Sequence, residues 1–125
     1  MEEPLVSLEI AKLLKNSGFN EEINTYWNKH KLSSFVGEFN KWNNSLCYIS
    51  MPTQTIAMKW LREKKNIHIS IYNNASGYGY EISKADNGTH ISNSDLEGPN
   101  KGGMWDVYED TVEAAIIESL NYIKC

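Results

Sequence analysis

The chain has 125 residues and a mass of 14.3 kDa, and 12 Lys plus Arg against 16 Asp plus Glu give a charge of −4. Folding at this size hides roughly two thirds of the chain's surface, enough for one core without disulfide or metal staples. Apolar residues at 41% and charged residues at 22% exclude a disordered tail, a collagen and a coiled coil, and a pI near 5.3 argues against a general binder of duplex nucleic acid.

Ser7 precedes an apolar stripe of Leu8, Ile10, Ala11, Leu13 and Leu14 at helical spacing, with Lys12 and Lys15 in the later turns. Gly18 followed by Phe19 predicts the stop, with glycine in the left-handed position after the last turn. Residues 22 to 49 alternate loosely and predict two or three short strands around Ile23–Trp27, Phe35–Phe39 and Cys47–Ile49. Turns are expected at 28 to 31 and at Asn43-Asn44. Ser50-Met51-Pro52-Thr53 opens a second helix with Pro52 at or near its first position, Ile56, Ala57, Trp60 and Leu61 on the apolar side, and Asn66 at its end.

Ile67, Ile69 and Ile71 share one face of a strand, 73 to 77 is a turn, and Tyr78–Lys84 returns. Asp86-Asn87-Gly88 predicts a tight turn into Thr89–Ser92. Residues 93 to 103 hold no apolar pattern and predict the longest loop. A last helix from Glu109 or Asp110 carries Val112, Ala115, Ile116, Leu120 and Ile123 on one stripe, with Glu113 and Glu118 outward. The expected fold is one α+β domain over 1–125, an antiparallel sheet (hairpin plus three-stranded meander) with about three helices packed on it.

Cys47 and Cys125 form no C-x-x-C pair, so no zinc or redox motif is present and both read as reduced thiols. The start Met-Glu-Glu-Pro has the wrong sign for a signal peptide. No apolar run reaches membrane length. The expected location is the cytoplasm.

The block Pro52-Thr53-Gln54-Thr55-Ile56-Ala57-Met58-Lys59-Trp60-Leu61-Arg62-Glu63, the Ile67–Ile71 strand, the ending Tyr108–Ile116 and Leu13-Leu14-Lys15 with Gly18-Phe19 carry a family likeness. Together they resemble small uncharacterised proteins encoded by phages and prophages of Bacteroidetes. The resemblance implies phage origin, the cytoplasm of a bacterial host, and a small accessory role in host takeover or counter-defence. It transfers no reaction and no site.

The sharpest chemical pattern is a repeated His-x-Ser, His68-Ile69-Ser70 and His90-Ile91-Ser92. Strand alternation puts each His and its Ser on one face, and the pair resembles the motif of two-histidine phosphoesterases. Only 22 residues separate the two copies, and a meander sets a whole strand between them, so solvent-facing strand residues are the plainer reading. Lys101, Gly102 and Gly103 with Trp105 offer backbone N–H groups, an ammonium and a stacking ring to a phosphorylated ligand. Lys59 and Arg62, near Tyr72, Tyr78 and Tyr80 in sequence, offer a basic and aromatic pocket, against a plain solvated helix face. Tyr26, Trp27, Phe39 and Trp42 belong to a segment rich enough in aromatics for a partner surface, and equally suited to a small core. Three histidines without clustered carboxylates make no metal site, and no cofactor motif occurs.

These residues predict a non-catalytic binding protein that captures a host protein or a phosphorylated nucleotide signal. The alternatives are a small phosphodiesterase built on His68, Ser70, His90 and Ser92, and a homodimeric accessory protein with no ligand.

Overall fold

The computed structural model describes residues 3–94 and 104–124. Helix α1 (Leu8–Asn16) begins where Ser7 Oγ accepts the Ile10 N–H at 3.2 Å, and so satisfies one of the donors a helix start leaves open. It ends at Gly18, whose φ of +97° suits a residue without a Cβ. The Gly18 N–H donates to Lys15 O at 3.2 Å and the Phe19 N–H to Leu14 O at 2.9 Å, which folds Phe19 back on the helix.

Strands β1 (Ile23–Asn28) and β2 (Ser33–Asn40) form the expected antiparallel hairpin. The short β3 (Tyr48–Ser50) pairs with the other side of β1, giving the order β2-β1-β3. Asn28 Oδ1 accepts the N–H groups of His30 and Lys31 and shapes the hairpin turn. Cys47, expected in a strand, lies just before β3 and is exposed.

Helix α2 (Gln54–Lys64) is capped by Thr53, whose Oγ accepts the Ile56 N–H at 3.1 Å. Pro52 therefore stands ahead of the cap and not at the first helical position. Its carbonyl accepts the Val6 N–H at 2.9 Å and ties down the N-terminal segment. Asn66 closes the helix at φ +59°.

Strands β4 (Ile67–Asn74), β5 (Gly77–Lys84) and β6 (His90–Asn93) make the expected meander in the order β4-β5-β6. The β4–β5 turn is tighter than the sequence implies: Asn74 pairs with Gly77, leaving only Ala75 and Ser76 between. Helix α3 (Tyr108–Lys124) starts a residue earlier than expected and packs on β4 and β5 while touching α1 and α2. Glu113 and Glu118, read as solvent-facing, are both engaged. Glu113 accepts from the Ser7 N–H and Gln54 Nε2, and Glu118 from two hydroxyls on the second sheet.

Among the described residues the fold is α+β, with two antiparallel three-stranded sheets and three α-helices. One apolar cluster joins the three helices and both sheets, without β2, with Leu14, Phe19, Leu61, Ile82, Ile116 and Leu120 at 1% exposure or less. Each such side chain contributes about 1.5–3 kcal/mol by leaving water. Among the described residues no helix is long and apolar enough to cross a membrane.

Gly79 marks a close approach within this frame. A Cβ there would stand 2.8 Å from Tyr72 Cζ and 2.9 Å from Ser94 Oγ. Tyr72 is exposed and can swing aside, but Ser94 is fully buried and accepts the Tyr80 N–H at 3.0 Å. Gly79→Ala is expected to cost about 1–2 kcal/mol through that overpacking. Urea unfolding should show a lower midpoint at unchanged slope, and an unchanged midpoint would refute the constraint.

Candidate functional site

The repeated His-x-Ser does not assemble into a paired site. His68, Ser83 and His90 form one row across the second sheet, so both imidazoles share its outer face. A strand stands between them, which holds their backbones roughly 9–10 Å apart. The pairing then slips between Ile82 and Ser83: Ser83 faces His90, while Ile82 faces Ser92. Ile91 is thus an extra residue in β6, a bulge that breaks the alternation. Ser70 stays on the outer face with His68, but Ser92 turns inward, where its Oγ donates to Glu118 Oε1 at 3.0 Å. The expected matched pair of His and Ser is corrected by that single residue. His90 Nδ1 instead stands 3.9 Å from Glu81 Oε1, with both side chains more than half exposed.

The other expected sites fare unevenly. Lys101, Gly102 and Gly103 lie outside the described residues, as does most of the 93 to 103 loop and Cys125. Trp105 is fixed by a two-way backbone bridge, its N–H to Tyr78 O at 2.9 Å and the Tyr78 N–H to its own carbonyl at 2.7 Å. Lys59 lines a groove with Glu21, Glu22 and Glu63, a setting that repels an anion. Arg62 is exposed on the same helix. The three tyrosines near them in sequence do not gather: Tyr72 pairs with Gly79 and Tyr80 with Ile71, which puts Tyr72 on the outer face and Tyr80 in the core. Lys59 and Arg62 therefore form no pocket with those rings. Among the described residues no group of three His, Cys, Asp or Glu is placed to hold a metal.

The aromatic segment splits between the faces of the first sheet. Tyr26 and Trp27 are consecutive on β1 and point to opposite sides. On one side Trp42 stacks on Tyr26 at 4.0 Å, Tyr48 meets both rings edge-on, and Trp42 Nε1 donates to Ile23 O at 2.8 Å. These rings pack on each other, and Trp42 also packs against the core. Phe39 stays outside the cluster and is 71% exposed.

Trp27, on the opposite side, opens onto a cleft of about 480 Å³ between α1 and the first sheet. That volume lies within the range of small-molecule sites. Lys12 and Lys15, three apart on α1, form one wall, and Trp27 and Lys29 the other. Ile49 of β3, buried, and Leu32 supply apolar surface. Lys15 is held in place, with Nζ donating to Ser45 O and Tyr48 O at 2.8 Å each. Burial and then the nearby Lys29 charge lower its pKa from the usual lysine value, with Cys47 acting the other way. No carboxylate lies among the described residues that line the cleft, although the whole chain carries −4.

In the sequence Lys12 and Lys15 read as partners of the α1 dipole, and nothing marks Lys29. Their spacing on α1 was legible, but only the pairing of β3 with β1 brings Lys29 and Trp27 beside them. No protein-family model, curated protein or solved structure matches the chain.

Proposed function

We propose that the protein binds without catalysis and that its ligand is a small phosphorylated aromatic molecule, a nucleotide by chemical class, held in the Lys12–Lys15–Lys29 cleft. The observation that carries this reading is that three lysines line one cleft with no carboxylate in the described lining. Like charges brought together repel, and a phosphate between them converts that repulsion into attraction. The Trp27 ring gives a base a surface to stack on, a contact worth about 1–3 kcal/mol. Capture of a signal nucleotide without turnover fits the phage accessory and counter-defence role that the family resemblance implies.

The test is native mass spectrometry and calorimetry with cyclic dinucleotides and mononucleotides, on the wild type and on Lys12→Glu/Lys29→Glu. One nucleotide should be retained intact and stoichiometrically, and the double reversal should weaken it by at least about tenfold. Both residues are exposed, so the fold should survive the change. Affinity should also fall as pH rises, and earlier than for an ordinary lysine, because Lys15 loses its proton sooner. Retention of no nucleotide, or equal retention by the double variant, would overturn the proposal.

A second reading is capture of a host protein by the 32–46 segment, where Leu32, Val36, Phe39 and Leu46 are each more than 70% exposed. It gains if a retained mass is that of a protein and Phe39→Ser abolishes it.

A further inference from the structure

A second cavity of about 440 Å³ lies between β5 and α3, and its described lining includes Tyr80, Trp105, Ile117, Glu118 and Asn121. Its chemistry is the reverse of the cleft's: one carboxylate and an aromatic wall, with no lysine or arginine in the described lining.

The carboxylate is oriented from two sides. Tyr80 Oη donates to Glu118 Oε2 at 2.8 Å, and Ser92 Oγ to Oε1 at 3.0 Å. Ser92 reaches it only because the Ile91 bulge turns that side chain inward, and bulges commonly re-aim a side chain beside a site. A carboxylate has about four lone-pair positions, so two accepted bonds leave capacity for a ligand. Among the described residues no cation forms an ion pair with Glu118. Trp105 is pinned by its backbone bridge to Tyr78, and its ring lies 5.8 Å from that of Tyr80 at a 31° tilt.

We propose that this cavity binds a small organic cation, its charged head against Glu118 and its body against the face of Trp105. A half-buried carboxylate with no cationic partner among the described residues favours a positive ligand, and an indole face attracts the same charge. A neutral base stacked on Trp105 would leave the Glu118 charge uncompensated. The inference is independent of the anion cleft, which it neither uses nor requires.

Calorimetric titration of the full chain with spermidine, agmatine and tetramethylammonium tests it, and separates primary ammonium, guanidinium and quaternary heads. At least one should bind with a Kd of about 1 mM or tighter and weaken about tenfold in Glu118→Gln. The glutamine keeps an oxygen for a hydroxyl donor, so an unchanged melting temperature separates lost charge from lost fold. If that variant does not fold, Asn121→Lys decides: the residue is exposed, and an ammonium there should compete with the ligand and weaken binding similarly. Binding should persist in Lys12→Glu/Lys29→Glu, so failure of the anion reading leaves this one standing. Absence of binding by all three cations, undiminished binding in the variants, or tighter binding of guanosine than of any cation would overturn the proposal.

Discussion

Phe19→Ala should remove about 3–5 kcal/mol of stability. The side chain is 1% exposed and meets Trp60 edge-on at 5.4 Å. It stands where α1 ends, against α2, and its own carbonyl accepts Asn43 Nδ2 at 2.7 Å from the turn that precedes β3. Truncation leaves these backbone bonds in place but opens a cavity at the junction of α1, α2 and the first sheet. A domain of this size has about 5–15 kcal/mol in total, so the variant should be partly unfolded at physiological temperature. Chemical denaturation measures the loss. Phe19→Leu, which refills most of the space, should recover more than half of it. A loss below about 1 kcal/mol in Phe19→Ala would show that the junction collapses without cost.

Trp42→Ala should cost about 2–3 kcal/mol, less than a fully buried aromatic because the ring is only partly buried. Two contributions combine. The stack on Tyr26 and the edge contact with Tyr48 are lost, and Ile23 O loses the Nε1 donor. Trp42→Phe separates them: it keeps a ring against Tyr26 and forfeits only the hydrogen bond, for about 1 kcal/mol. Trp42 lies on the Tyr26 side of the sheet and Trp27 on the other, so nucleotide retention should be unchanged in folded Trp42→Phe. Loss of retention there would mean that the two sides are coupled.

Local signals carried much of the fold into the sequence. Ser7, Gly18 and Asn66 mark helix ends by chemistry that acts within a few residues, and each stands where that chemistry places it. The isoleucine alternation in β4 was equally readable, since Ile67 and Ile69 meet the core in turn. Features set by long-range pairing were not. Nothing near Ile91 announces a bulge, because the extra residue is defined only against β5. The position of β3 beside β1 depends on Tyr26 meeting Ser50, twenty-four residues away. For the same reason the anion cleft is not legible in the sequence, since its lysines come from α1 and from just past the end of β1, and α1 meets the first sheet at β3. Glu118 looked like a surface charge because its hydroxyl partners lie on β5 and β6.

The outer strand β2 exposes seven of its eight residues, and only Phe35 is half-buried. Exposed positions away from special backbone geometry usually change stability by less than about 0.5 kcal/mol. Most of β2 can therefore vary freely, while the buried Ile10, Leu14, Phe19 and Ile82 cannot. The molecule thus has a body sensitive to substitution and a rim where new contacts can be tried by mutation without risking the core. Selection that alters what the protein meets at that rim need not touch what it holds in its clefts.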